Sequence, residues 1–397
     1  MDKTKTAEAS AAPVDFLARV PVKDLKRAFA LAKMVSDNRS VIPVLSRAKL
    51  SLNQELLRVE ATDIDNELTV TICTDAAGAG TVMAPIFEMT KILGCLPRTG
   101  VCVVEARGAE AIVTAGDSTW NLACYIPPSD YPAFPVRELP MTLQAGADVL
   151  RNILDNTLYA VSTEETRYYL NGVSLSARTS NQGTKLRAVT TDGHRMAALD
   201  VEVRGLNIPT CILPTKAARM LREIIKKDTG SVWLAFAEDG LTLQARTFDA
   251  ELRCKMIDGT FPDVESHVLS KIAPTSIATV DAAALGAAIR RVTACCDKVL
   301  HQAVRLSFEA DGVDLSGKSH DVSALERVPL SYTPAPPDGR RETGPFVLGL
   351  NYRFAIQALD RISGDVRIEF QGPGDPVRLS SPTDPAAFSV LMPMRVE

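Results

Sequence analysis

The chain has 397 residues, 46% hydrophobic and 23% charged. That balance suits two or three packed domains of about 150 residues and excludes intrinsic disorder, collagen and a small disulfide scaffold. The net charge of −4 argues against a surface that coats nucleic acid all over, but allows one basic face on an acidic body.

Residues 1–13 are small and polar with no apolar stretch, which predicts a disordered tail and no signal peptide. No later run approaches the roughly 18 apolar residues of a membrane span. From Val14 onward one pattern recurs three times, at a period of roughly 125 residues. Each copy opens with a short strand and an amphipathic helix, at 14–37, 141–163 and 275–297. Three alternating strand segments follow: 46–53, 56–62 and 66–72 in the first copy, 171–178, 185–192 and 195–203 in the second, and 301–309, 312–318 and 322–330 in the third. A second strand and helix come next, at 81–96, 210–227 and 344–362, and further strands close each unit. Boundaries fall near 138 and 269, after the similar endings CYIPPSDYPAFP and CKMIDGTFPDVE, giving domains 14–138, 139–268 and 269–397. The Pro-rich stretch 332–345 lies inside the third copy and reads as a long internal loop.

Two helices carry basic stripes. Lys23, Lys26 and Arg27, with Lys33 beside them, lie opposite Leu25, Ala28, Phe29, Ala32 and Val35; Lys216, Arg219, Arg222, Lys226 and Lys227 lie opposite Leu221, Ile224 and Ile225. One such stripe reads as a solvated face. Two of them, on repeated helices of an acidic chain, make anion binding a real alternative.

Chemistry-bearing motifs are scarce. There is no phosphate loop, dinucleotide fingerprint, nucleophile elbow or zincin motif. Eight cysteines form no C-x-x-C, and histidines 194, 267, 301 and 320 match none of them at zinc spacing. The expectation is reduced, mostly buried cysteines in a cytosolic protein, with no metal and no cofactor. TTDGHRMA at 190–197 stands out. It reads either as a hydrolase acid–base pair, Asp192 and His194, or as an Asp-Gly turn between two strands.

RYYLNGV (167–173), VTTDGHRMA (189–197), FPD (261–263) and the closing VLMPMRVE (390–397) together resemble the bacterial sliding-clamp family, the beta subunit of DNA polymerase III. NRSVIPVLSRAKL (38–50) and ATD (61–63) fit it too, so the resemblance covers 14–397. It implies an α+β chain of three clamp domains, each with two helices and two antiparallel sheets. Such chains close head to tail as a homodimer into a ring whose helices line the hole. It implies a cytoplasmic, non-catalytic protein without cofactor or membrane contact. The implied partners are double-stranded DNA, DNA polymerase III subunits, the clamp loader and other proteins that carry a clamp-binding peptide.

Carried over by motif, the peptide pocket comprises Leu170, Thr191, Gly193, His194, Arg195, Met196, Pro262, Val390, Leu391, Met392, Pro393, Met394 and Arg395. DNA contact falls to Lys23, Lys26, Arg27, Arg39, Lys216, Arg219, Arg222 and Lys226, and the dimer surface to Trp120 and Leu122 against Cys295 and Cys296. Two departures stand out. In FPDVESHV, Ser266 and His267 stand where the family commonly has arginine, and MAPIFEM (83–89) lacks the basic residues often found there.

Overall fold

A computed structural model describes residues 14–37, 39–135, 137–180, 183–203, 206–226, 230–294, 302–319, 321–333 and 346–396. The expected tail at 1–13, Lys227, Cys295, Cys296 and most of the loop at 332–345 lie outside the described residues. Helices occupy Val22–Val35 (α1), Ile86–Cys95 (α2), Ala147–Thr157 (α3), Thr215–Ile224 (α4), Val264–His267 (α5), Ala282–Val292 (α6) and Tyr352–Leu359 (α7). All six helices expected from periodicity are present. The short α5 was not foreseen.

Each repeat uses the same local device twice, a strand that runs straight into a helix. Proline ends the strand before α1 and α2, at Pro21 and Pro85. Before α6 and α7 the junction residue caps instead. Asp281 accepts from Ala284 N (2.6 Å), and Asn351 accepts from Arg353 N (3.0 Å) and Phe354 N (3.4 Å). In α1 the buried residues Val22, Leu25, Ala28, Phe29, Ala32 and Val35 recur at helical spacing, which fixes the buried face.

The described residues of Met1–Ala147 with Met220–Lys255 form one compact unit, and those of Asp148–Arg219 with Met256–Glu397 a second. The first holds a five-stranded sheet, ordered 75–78, 16–21, 101–107, 110–115, 118–123. Its second sheet has eight strands, ordered 141–146, 231–236, 242–246, 250–255, 66–73, 56–62, 47–53, 80–85. Phe16, Leu25, Phe29, Leu50, Leu57, Met83 and Met89 are among its fully buried side chains. The second unit holds a nine-stranded sheet, ordered 211–214, 172–180, 183–191, 195–201, 387–391, 377–380, 365–370, 276–281, 331–333. With it goes a four-stranded one, ordered 323–329, 312–318, 303–308, 346–351. One of its cores gathers Phe308, Phe370, Leu348 and Leu350 under α6 and α7.

Every repeat thus contributes to two antiparallel sheets, and these sheets do not stop at the repeat boundaries. Strand 250–255 of the second repeat pairs with 66–73 of the first (Ala250↔Val70, Cys254↔Asn66), and 387–391 of the third pairs with 195–201 of the second (Met196↔Val390). A strand edge exposes a row of unpaired N–H and C=O groups. Fusing the sheets satisfies both edges at each junction.

Cys102, Cys124, Cys211 and Cys254 are buried and Cys73 and Cys95 exposed; none forms a disulfide. Burial pushes the Cys102 thiol up to about 11 and Cys211 up to about 12, so both stay protonated near neutral pH.

Candidate functional site

The TDGHR segment is a hydrogen-bonded turn. Thr191 Oγ1 donates to Arg195 O (2.7 Å) and accepts from Gly193 N (3.1 Å). Asp192 Oδ1 accepts from the backbone of His194 (2.9 Å) and Arg195 (3.0 Å), and Asp192 Oδ2 from Arg195 Nε (2.9 Å). The Asp192 carboxylate therefore caps the turn and holds Arg195. It reaches His194 only at the backbone, so the acid–base pair of the hydrolase reading is not formed. Gly193 has φ +91°, and a Cβ there would lie 2.6 Å from Arg167 Nη1. Gly193→Ala is accordingly expected to destabilise the fold by about 1–3 kcal/mol. A thermal melt would read this as a fall in Tm of a few degrees, and an unchanged melt would contradict it.

The same turn sits beside the C-terminus because strand 195–201 pairs with 387–391. Beyond Leu391 the chain is pinned twice: Met392 N donates to His194 O (2.9 Å) and Met394 N to Gly349 O (2.8 Å). Glycine is required at 349, since a Cβ would lie 2.3 Å from Met394 O. Phe261, Val264 and Val268 pack over Met196 and Val390, which brings FPDVESHV onto the same face. Thr191, Gly193, His194, Met196, Pro262 and 390–395 are in this way assembled from three separate stretches. Met196 and Val390 are buried floor residues, whereas His194, Pro262, Met392, Met394 and Arg395 are exposed. Leu170 is buried at the end of the turn Glu165–Leu170, whose Arg167 abuts Gly193.

Arg195, one of the expected pocket residues, is held by contacts from α7. Its guanidinium lies 4.3 Å from the Phe354 ring and 5.7 Å from the Tyr159 ring, bonds to Gln357, and is nearly buried. It braces the turn from behind. Sequence reasoning missed this, because Phe354 and Gln357 lie on α7, far away in the chain.

The rim around α5 is built by charge. Asp263 caps α5, accepting from Glu265 N (3.1 Å) and Ser266 N (3.2 Å) and bonding to Ser266 Oγ. The Ser266 hydroxyl, followed by these N–H groups, holds the Asp263 carboxyl below its usual range. His267 Nδ1 lies 2.7 Å from Asp263 O. Glu265 accepts from Arg187 (2.6 Å) and Arg178 (2.8 Å), and both arginines also reach Asp200. Burial opposes the Arg187 charge, but Asp200 and Glu265 outweigh it and hold its pKa above the ordinary arginine value. None of Arg178, Arg187, Asp200 or Glu265 was singled out from sequence. An arginine on the same strand face as Val189 was the available signal.

The basic candidates divide. Lys23, Arg39, Lys216 and Arg219 are exposed and Arg222 is partly buried. Lys26 donates to Leu96 O, Arg27 pairs with Asp249 and donates to Ile224 O (3.3 Å), and Lys226 pairs with Glu223 (3.1 Å). These three are engaged within the chain, and Lys216 and Arg222 also have interactions within it. On α2, the helix of the MAPIFEM departure, Glu88 and Lys91 are the exposed charges. Trp120 is partly buried, and Leu122 is buried within its own unit opposite Ala111. No group of ligating side chains able to hold a metal occurs among the described residues, and no helix there is long and apolar enough to cross a membrane.

Three α+β domains on one plan, with sheets fused across their boundaries, define a clamp-type chain. Models of the N-terminal, central and C-terminal domains of the DNA polymerase III beta subunit match residues 19–135, 144–263 and 272–395. The beta sliding clamp of Caulobacter vibrioides is 31% identical over 381 residues, covering 94% of this chain and 98% of its own. Among solved structures, the Caulobacter crescentus beta sliding clamp with polyethylene glycol at a putative beta-motif tethering region superposes with a TM-score of 0.86, at 28% identity over 96% of this chain and 99% of its own. The griselimycin-bound sliding clamp of Bartonella birtlesii shares the fold with a TM-score of 0.87, at 24% identity over 96% of this chain and 100% of its own. The chain belongs to the DNA polymerase III beta subunit family, the beta sliding clamps.

Proposed function

We propose that two copies of the chain join head to tail into a ring that encircles duplex DNA and tethers the replicative polymerase and other DNA-processing proteins to it. The pattern of sheet junctions carries this reading. The closing strand of the second repeat pairs with the fourth strand of the first, and the closing strand of the third repeat with the corresponding strand of the second. One closing strand, Ser118–Ala123, and one corresponding strand, Ser323–Pro329, remain as sheet edges among the described residues. The junction is made a third time only between chains, and two such junctions close a ring. Sedimentation equilibrium tests this: the expected mass is twice 42.8 kDa, and a monomer at micromolar concentration would contradict it.

Domain limits of 14–138, 139–268 and 269–397 go with this plan. Lys23, Lys216 and Arg219, exposed on the helices, supply weak phosphate attraction, which lets a topologically held ring slide. The groove of Thr191, Gly193, His194, Met196, Pro262 and 390–395 receives short peptides with apolar anchors from polymerase subunits, the clamp loader and other partners. The chain acts as a cytoplasmic, non-catalytic tether.

A further inference from the structure

α5 is a single turn of four residues, and a helix that short does not hold itself in place. It nevertheless carries one side of the peptide groove, since Pro262 precedes it and Val264 packs over Met196 and Val390. Val264 at its start and Val268 just past its end make its apolar contacts. Between them Glu265 reaches the sheet, where Arg187 Nη1 meets Glu265 Oε2 at 2.6 Å and Arg178 Nη2 meets Glu265 Oε1 at 2.8 Å. Both arginines are anchored in turn by Asp200: Arg187 Nε to Oδ1 (2.6 Å), Arg187 Nη2 to Oδ2 (2.6 Å) and Arg178 Nη1 to Oδ2 (3.2 Å). Arg187 and Asp200 are direct cross-strand partners, and the Arg187 side chain is only 8% exposed.

We infer that Glu265, clasped by Arg178 and Arg187 over Asp200, is a positioning residue for the peptide groove. The clasp fixes α5 and the Pro262 wall at a set distance from the Met196–Val390 floor. An isolated exposed ion pair contributes little. A fork of two arginines between two carboxylates, one arginine nearly buried, is geometrically specific and resists rearrangement. With the clasp intact the groove is ready-made. Without it, each ligand must order the 261–268 segment on arrival, and that ordering weakens binding. The inference rests on the peptide-groove reading above.

The test uses the full-length protein and keeps Arg187 and Asp200, whose loss could unfold the sheet. Amide exchange by mass spectrometry and binding of a fluorescein-labelled peptide with one glutamine and two leucine anchors are compared for the native chain, Glu265→Ala, Arg178→Met and Glu265→Asp. Glu265→Ala is expected to speed exchange in 262–268 and to weaken peptide binding roughly five- to tenfold, chiefly through faster dissociation. Arg178→Met should do so to a lesser degree, and Glu265→Asp should recover part of both effects. Unchanged exchange in Glu265→Ala overturns the clasp as a fixing device, and faster exchange with unchanged affinity overturns its role in the groove. If the native chain fails to bind the peptide, the groove reading fails and this role falls with it. The exchange arm then still reports whether the clasp holds α5.

Discussion

Leu325→Glu is expected to convert the dimer into monomers at micromolar concentration. Leu325 lies on the sheet edge Ser323–Pro329 and is 75% exposed, an unusual position for leucine on a strand with no outer neighbour among the described residues. The opposite edge of the same sheet, Phe346–Asn351, is already covered, because Met394 N donates to Gly349 O (2.8 Å). That leaves 323–329 as the edge that the strand Ser118–Ala123 of a second chain would complete. A carboxylate buried there without a partner costs about 2–5 kcal/mol, or roughly 30-fold to several thousand-fold in dissociation constant. Sedimentation velocity reads the outcome. Circular dichroism should be unchanged, since the side chain contributes little to its own core. A variant that sediments as the native dimer would remove this edge from the interface.

Removing residues 392–397 is expected to abolish peptide binding and leave the dimer intact. Leu391 is the last strand residue and is buried, so a chain ending there keeps its sheet pairing with Arg195 and Val377. What is lost is Met392 and Met394, which are 41% and 37% exposed although held by two backbone hydrogen bonds. Flexible thioethers fixed at the backbone but free at the side chain suit apolar anchors of varied shape. At about 25 cal/mol per Å² of apolar area, a peptide that loses this cover loses a few kcal/mol, enough to turn micromolar binding into millimolar. Titration calorimetry with the two-leucine peptide measures this. Equal affinity for the truncated and native chains would place the groove elsewhere.

The strands and helices were legible in the sequence because each rests on a local period, alternation in strands and three-to-four spacing in α1, repeated three times over. The fusion of the sheets was not. Ala250 meets Val70 across 180 residues, and nothing in either strand states its partner. The four residues of α5 are fewer than any periodic window can register. The motif resemblance pointed to the TDGHR turn and the C-terminal methionines, which the strand pairing brings together. It could not say that Arg195 is drawn inward by Phe354 and Gln357, or that Arg27 is held by Asp249 on a distant hairpin. Basic helix positions look alike in sequence whether their charge faces a partner or a neighbouring carboxylate. Only the packing separates Lys23 from Arg27.

Retention on DNA of two shapes measures the central claim most directly. The chain is loaded by a clamp loader onto nicked circular DNA, separated from free protein by gel filtration, and the DNA is then cut once with a restriction enzyme. A sliding ring stays with the circle through the column and leaves after the cut, because it is held by topology and only weakly by phosphate attraction. Equal retention on circular and linear DNA would show that the chain binds DNA by its surface and would contradict the ring.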